Sequence, residues 1–265
     1  MDRITILGVR GSVPVSGADY ARYGGATTSV LVQLDDEAIV LDAGTGLLRL
    51  PPDVLERSAL TLVLSHAHLD HLCGLPMCPY VMRQGKTLEL YAAPAEGMPI
   101  ADVLNKLYAP PVWPVPPERF GAAIRYHDLP GSFSVGSVRV ESMDGVHPGG
   151  VKLLRLRAGG KRVVFATDFT LTDALRPAAA DFARGCDVLL CDGQYSEAEW
   201  PARAAFGHNT WAAAAAFGAA CGAGRTCIVH HDPTHTDAVL DGAMAEVRKI
   251  NPNCEIAREG EVIAL

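Results

Sequence analysis

The sequence lacks several features that would narrow its function class. No apolar run approaches the roughly 20 residues of a membrane-spanning helix, and no Lys/Arg block stands in a chain whose formal charge is −7. The seven cysteines form no CxxC pair, which favours reduced, buried thiols over a disulfide framework. Linkers and short repeats are missing as well. We therefore expect no membrane protein and no protein that binds long nucleic acid by neutralising many phosphates.

The composition is that of an ordinary globular protein. Of its 265 residues, 49% are hydrophobic and 20% are charged, which excludes a disordered, collagenous or coiled-coil chain. We predict one domain spanning residues 1–265. The segment Arg3 to Leu7 is typical of a first strand rather than of a signal peptide, so we expect a cytoplasmic protein.

Short apolar or alternating runs, bounded by Gly, Asp or Ser, predict strands in both halves of the chain. These runs are Arg3–Leu7, Thr28–Leu34, Ala38–Leu41, Leu60–Leu64, Ala123–Tyr126, Ser137–Ser142, Leu153–Arg157, Arg162–Ala166, Val188–Cys191, Thr226–Val229 and Glu261–Ala264. Helices are predicted at Pro94–Leu107, Thr172–Arg184, Thr210–Ala220, after a cap at Asn209, and Asp237–Ile250. Five prolines in Ala109–Pro117 exclude regular helix there, so this segment is a loop that forms a lid or an interface. The pattern predicts an α/β (α+β) fold in four αββα layers, two sheets face to face with helices outside.

One short segment carries the strongest chemical signal. Directly after the apolar strand that ends at Leu64 come His66, His68, Asp70 and His71. In an extended segment His66 and His68 point the same way, and a turn at Asp70 and His71 adds two more ligands around the same point. Imidazole nitrogens and carboxylate oxygens are the ligands that borderline divalent ions such as Zn²⁺ prefer. The segment therefore predicts a metal site.

This HxHxDH segment resembles the signature of the metallo-β-lactamase superfamily. The resemblance implies an αββα sandwich with a dinuclear metal site at its edge, in agreement with the layers predicted above. It assigns His66, His68 and His147 to the first metal, Asp70, His71 and His230 to the second, and Asp168 to both. These assignments complete the expected ligand set.

Three further points come from the same resemblance. Asp42, which closes the strand ending at Leu41, matches the family's first acidic motif and orients ligands. For the last ligand the chain offers His230 and His231, and position favours His230. The metals are expected to be two divalent ions, zinc first, with manganese or iron as alternatives.

The segment from Gly207 to Trp211 narrows the substrate class. Its Gly-His-Asn-Thr pattern is similar to a Gly-His-Ser/Met-Thr segment in tRNA 3′-processing endonucleases and phosphoribosyl cyclic phosphate phosphodiesterases. In that branch the histidine is the proposed general acid, which protonates a departing alkoxide. We therefore expect His208 to be catalytic, together with the ligand Asp70. His235, Arg10 and Arg22 receive no definite role, since each suits a structural contact as well as a phosphate contact.

The expected function is a metal-dependent hydrolase of a small anionic phosphodiester, such as a cyclic nucleotide or a sugar cyclic phosphate. The chain has no long basic insertion between Asp168 and His208 of the kind that binds tRNA, so long nucleic acid is not expected. The Cys₄ zinc-binding insertion of the phosphoribosyl branch is missing too. The alternatives are a thioester or other acyl hydrolase using the same site, and a non-catalytic metal-dependent binding or carrier protein. The resemblance also allows a homodimer.

Overall fold

The computed structural model describes residues 2–265, and two seven-stranded mixed sheets dominate it. In chain order the strands are β1 (Arg3–Gly8), β2 (Ser29–Leu34), β3 (Glu37–Leu41), β4 (Ala59–Val63), β5 (Thr87–Ala92), β6 (Ala123–Asp128), β7 (Ser132–Val135), β8 (Val138–Gly145), β9 (Val151–Ala158), β10 (Lys161–Ala166), β11 (Val188–Asp192), β12 (Arg225–Val229), β13 (Cys254–Ile256) and β14 (Val262–Ala264). The α-helices are α1 (Pro52–Leu55), α2 (Ile100–Leu107), α3 (Arg176–Ala183), α4 (Trp200–Arg203), α5 (Trp211–Cys221) and α6 (Asp237–Ile250).

The strand order determines where polar side chains gather. The first sheet runs β14-β1-β2-β3-β4-β5-β6, and the second runs β13-β12-β11-β10-β9-β8-β7. Strands β3 to β6 are parallel to one another, and so are β10 to β13. Loops that follow parallel strands leave from the same edge of a sheet, which is where ligands bind in sheets of this kind. Both sheets therefore present the ends of their parallel strands to a common crevice.

Apolar packing defines the four layers and confirms the predicted sandwich. Between the sheets, side chains such as Leu41 and Val32 from the first sheet belong to one cluster with Phe165 and Val229 from the second. The outer face of the first sheet packs with α1 and α2, and the outer face of the second packs with α3, α5 and α6. Alternation of inward and outward side chains along each strand lets one sheet bury both faces. Within residues 2–265, no helix is both long and apolar enough to span a bilayer.

Several predicted boundaries differ from the structure. The helix expected from Pro94 begins only at Ile100, because Pro94 and Pro99 restrict the backbone before them and remove donors. The helix expected from Thr172 begins at Arg176. Strands β5, β7 and β13 were not predicted, although β5 alternates half-buried and buried side chains as a strand should. The cap of α5 is Thr210 rather than Asn209, since the Thr210 hydroxyl accepts the Ala213 N–H.

Candidate metal centre

The candidate site lies at the strand ends that face the crevice. His66 and His68 follow β4, and Asp70 and His71 lie in a short 3-10 helix, Leu69–His71. His147 lies in the loop between β8 and β9. Asp168 follows β10 and His230 follows β12. The turn after β4 thus supplies four donors, and three other loops each add one.

Four overlapping groups of donors form among residues 2–265: two of them include His208, and the other two together contain the seven predicted ligands. In the first, one nitrogen from each of His66, His68 and His147 lies within 4.8 Å of the others. The His147 Nε2 is 3.1 Å from His68 Nδ1, and the His147 Nδ1–H donates to the Gly207 carbonyl at 3.0 Å. Three imidazoles at this spacing suit one divalent ion.

The second group consists of Asp70, His71, Asp168 and His230, all buried. The His230 Nε2 lies 3.1 Å from Asp70 Oδ2 and 3.0 Å from Asp168 Oδ1. Asp168 Oδ1 also lies 3.8 Å from His66 Nε2 in the first group. The Asp168 carboxylate therefore adjoins both groups.

The two candidates for the last histidine differ in position. His230 joins the second group, whereas the His231 Nε2–H donates to the Ala257 carbonyl at 2.9 Å. Burial lowers the pKa of His231 to about 3, so this side chain is neutral. His231 is thus part of the packing behind the site rather than of the donor group.

Asp42 orients two of the histidines. It is fully buried, and its Oδ2 accepts from His71 Nδ1 and from the Ser65 hydroxyl, each at 2.7 Å. The Ser65 oxygen in turn lies 3.0 Å from His66 Nδ1. Because a carboxylate only accepts, His71 donates from Nδ1. The Ser65 hydroxyl gives its hydrogen to Asp42, so its oxygen accepts from His66 Nδ1, and both imidazoles direct Nε2 toward the site.

Those Nε2 atoms are the best indication that the residues suit a metal. The Nε2 atoms of His66 and His71 are buried, and neither forms a well-aligned hydrogen bond in the described chain. The nearest groups to His71 Nε2 are carboxylate oxygens of Asp70 and Asp168, at 3.2 and 3.3 Å, which are themselves metal donors. Buried polar atoms normally have partners, and a cation that accepts a nitrogen lone pair satisfies both atoms.

Electrostatics agree with a cation between the donors. Burial lowers the pKa of His71, but the carboxylates of Asp70, Asp168 and Asp42 outweigh it and hold that pKa well above its usual range. Asp168 and Asp70 likewise overcome burial and raise the pKa of His230 to about 10. Without metal, protons on these imidazoles supply the positive charge that the carboxylates require.

The sequence interpretation missed Asp192, the last residue of β11. Its Oδ2 accepts from His208 Nδ1 at 2.8 Å, and its Oδ1 accepts the Asn209 N–H at 2.8 Å. Asp192 is fully buried and His208 is 6% exposed. An acid at the end of an apolar strand is the same signal that singled out Asp42 and Asp168. Because Nδ1 is bonded to Asp192, Nε2 is the His208 nitrogen that remains free, and His208 lines the cavity. The centroid of the His208 ring lies 5.2 Å from that of His147 and 4.9 Å from that of His230.

The three residues without a definite role belong to none of the donor groups. The fully buried Arg10 donates to the carbonyls of Gly24, Asp232 and His235, and so ties two loops together. Arg22 pairs with Asp241 at the surface, at 2.5 Å. The Nε2 of His235 pairs with Glu199 at 2.8 Å. These contacts give all three side chains structural partners.

A cavity of about 300 Å³ opens over the donors. Its wall combines site residues with Ser12, Pro148, Tyr195 and Phe206. The space is suited to one compact polar substrate.

Comparison with known proteins identifies the class. Residues 37–231, most of the chain, match the family described as the beta-lactamase superfamily domain, and the chain therefore belongs to it. With its histidine and aspartate donors it is a metal-dependent hydrolase of the metallo-β-lactamase type, and the family and donor set together imply divalent metal ions.

The individual relatives have low sequence identity to this chain, but the alignments cover nearly the whole of both chains. A Ribonuclease Z from Bradyrhizobium sp. (strain ORS 278) is 24% identical over 311 residues, covering 98% of each chain. The crystal structure of the metallo-beta-lactamase fold protein YhfI from Bacillus subtilis superimposes with a TM-score of 0.76 at 20% identity, covering 99% of this chain and 98% of that one. A diphosphatase from the PhnP family has a TM-score of 0.72 at 18% identity, with coverage of 100% and 98%. The two structural matches establish the fold.

Proposed function

We propose that this protein is a dinuclear metal hydrolase of phosphodiesters. The observation that carries the proposal is the Asp192–His208 pair, which sets an imidazole at the edge of the donor groups, 2.8 Å from its carboxylate partner. Phosphodiester cleavage requires a proton for the departing oxygen, whereas an activated acyl leaving group requires it far less. The names of the relatives, Ribonuclease Z and a PhnP-family diphosphatase, support phosphate chemistry.

The proposed ligands divide as the two donor groups do. His66, His68 and His147 would hold one ion, and Asp70, His71 and His230 the other, with Asp168 shared. Zinc is the proposed metal because imidazole and carboxylate donors suit it best. Divalent ions held by these residues would supply an acidified water molecule as nucleophile and would neutralise charge on the phosphate.

His208 would act as the general acid. Its Nδ1–H donates to Asp192, so Nε2 is the nitrogen that can carry a proton to the leaving oxygen. The buried Asp192 carboxylate fixes the orientation of the ring through Nδ1, and the Asn209 N–H donates to the same carboxylate. Stacking against His230 further limits ring rotation.

A compact substrate, a cyclic nucleotide or a sugar cyclic phosphate, fits the cavity of about 300 Å³. The connection from β10 to β11 holds only the eight-residue helix α3 and no long arm. The alignment with the Bradyrhizobium Ribonuclease Z extends over 311 positions, more than the 265 residues here, so that relative has segments that this chain lacks. RNA is the second candidate, favoured by the name of this relative.

The test measures metal content and turnover on the same protein sample. Elemental analysis of protein purified without chelators should find about two metals per chain, and the same sample should hydrolyse bis(p-nitrophenyl) phosphate, cyclic nucleotides and a 3′-extended RNA hairpin, with a thioester as the acyl control. His208→Ala should keep its metal and lose most turnover of the alkyl diesters, typically 10²- to 10⁴-fold for a general acid. His127→Ala, on β6, is the matched histidine control. Full turnover of cyclic nucleotides by His208→Ala would refute the general acid, and a metal-free protein would refute the site.

A further inference from the structure

An aromatic side chain and a cation stand together at the mouth of the cavity. Phe206 lines the cavity, and half of its surface remains exposed, at 50%. The Arg203 guanidinium carbon lies 5.5 Å from the centroid of the Phe206 ring and 5.8 Å from that of Tyr195. Tyr195 is buried and also lines the cavity. Arg203 is thus held between two rings by cation–π contacts.

The guanidinium of Arg203 has unused donors. Among residues 2–265 it forms no hydrogen bond and no salt bridge, as is also true of the Arg119 side chain, but Arg203 stands beside residues that line the cavity. A single exposed apolar residue is ordinary on a protein surface. A half-exposed aromatic ring beside planar donors that have no protein partner, on the wall of the cavity over the donor groups, is a combination that suits a flat, hydrogen-bonding ligand.

The main chain links this feature to the proposed general acid. Phe206 precedes His208 by two residues, and the intervening Gly207 has φ of 91°. A Cβ at Gly207 would lie 2.4 Å from His147 Nδ1, so the segment passes close against the donors. The Tyr195 N–H donates to the Asn209 carbonyl at 3.2 Å, which holds the other end of the wall to the same loop. The ring therefore adjoins the side of the site on which His208 would protonate the leaving oxygen.

We propose that Phe206 and Arg203 form a base clamp, which binds the nucleobase of the substrate on the leaving-group side. This inference rests on the proposed phosphodiesterase function and deepens it, because it names nucleoside phosphodiesters as the substrate class. The base stacks on the Phe206 ring, and the Arg203 guanidinium donates to its edge. Sugar cyclic phosphates without a base leave the clamp empty and bind more weakly.

The test compares two cyclic diesters that differ only in the base: adenosine 2′,3′-cyclic phosphate and 1-O-methylribose 2,3-cyclic phosphate. For the unmodified protein the KM of the nucleotide should be lower by about tenfold or more, a ratio within the range of base–aromatic stacking. Phe206→Ala should raise the nucleotide KM about tenfold more than it raises that of the base-free diester, and Phe206→Tyr should restore the preference. Arg203→Gln should act in the same direction. Met82→Ala and Arg119→Gln are the controls, an exposed apolar and an exposed cationic residue that do not line this cavity.

Two outcomes overturn the clamp while diesters are still hydrolysed: equal KM values for both substrates, or an equal effect of Phe206→Ala on both. If no diester is hydrolysed at all, the proposed function fails, and calorimetric binding of adenosine monophosphate then decides about the clamp. Binding that Phe206→Ala weakens and Phe206→Tyr restores supports it. Absent binding, or binding that Phe206→Ala leaves unchanged, refutes it.

Discussion

Replacing Asp42 by asparagine tests how the site fixes its ligands. Three donors converge on this buried carboxylate. Oδ1 accepts the Ser65 N–H at 2.7 Å, and Oδ2 accepts from both the Ser65 hydroxyl and His71 Nδ1 at 2.7 Å. Through Ser65 the same carboxylate also fixes the proton position on His66. Asp42→Asn keeps the size of the side chain and removes one acceptor oxygen.

Neither orientation of the asparagine amide satisfies all three donors. If the amide oxygen occupies the Oδ2 position, the NH₂ group faces the Ser65 N–H, and two donors oppose each other. If it occupies the Oδ1 position, the NH₂ group faces His71 Nδ1 and favours the tautomer with its proton on Nε2, the atom that the metal needs. The first arrangement leaves the buried Ser65 N–H unpaired, and the second reverses the tautomer of His71, at a position where Asp42 and His71 are both fully buried.

The expected effect is large enough to measure in two ways. Loss of such an orienting partner typically lowers metal affinity about 10- to 100-fold, to be measured by competition with a chromogenic chelator. An unpaired buried donor costs about 1–3 kcal/mol, and each kcal/mol lowers Tm by about 2–4 °C in a protein near this size. Calorimetry of the metal-free protein reports the second effect independently of metal.

Asp53→Asn is the matched control, an aspartate whose side chain is 54% exposed and which pairs with Arg3 at the surface. It should leave both metal affinity and Tm almost unchanged. If Asp42→Asn keeps the affinity of the unmodified protein and its Tm in the metal-free state, then the carboxylate does not fix the tautomers of His71 and His66, and the argument is wrong.

Two further predictions concern the same donors. Gly11→Ala should reduce metal content, because a Cβ there would lie 2.3 Å from the His230 ring. The control is Gly131→Ala, where an added Cβ meets nothing within 4 Å. Equal metal content in both variants would contradict the packing argument. Metal affinity should rise with pH, because the raised pKa values of His71 and His230 keep both imidazoles protonated near neutrality in the metal-free protein and bound metal must displace those protons. Chelator competition between about pH 6 and 8 should give about a tenfold gain per pH unit for each proton displaced, and an affinity independent of pH would contradict the assignment.

The sequence predicted the parts of the fold that local patterns encode. Apolar runs ending in Gly, Asp or Ser marked most strands of both sheets, and the confirmed four-layer arrangement follows from them. Strand β7 was missed because only four residues form it, and none of them is fully buried. The predicted start of α2 was wrong because two prolines interrupt a segment of otherwise helical composition. Local patterns thus predict the existence of elements better than their boundaries.

In the candidate site, too, the sequence predicted what a local pattern encodes and missed contacts between residues distant in the chain. The segment with His66, His68, Asp70 and His71 can be recognised from the sequence alone, since all four donors lie close together in the chain. The Asp192–His208 contact joins residues 16 positions apart, and the pairing of His235 with Glu199 spans 36 positions. The sequence around one residue of each pair does not indicate its partner, because both contacts depend on how β11, α5 and the loop after β12 are arranged in space.

The backbone at the site shows why strand ends carry the chemistry. Residues 2–265 include seven non-glycine residues with positive φ, and four of them lie here: Ser12 at 63°, Asp42 at 61°, Asp168 at 52° and His230 at 65°. Such conformations typically cost about 1–3 kcal/mol each, and they persist where surrounding contacts hold them, as the bond from the Ser12 N–H to Asp70 Oδ2 does at 2.8 Å. Glycine would relieve the strain but would contribute no side chain. A single left-handed residue turns the chain sharply at the end of a strand, so that an acid or imidazole from β3, β10 or β12 points into the crevice instead of continuing the sheet. The site therefore depends on local strain that the two packed sheets are stable enough to hold.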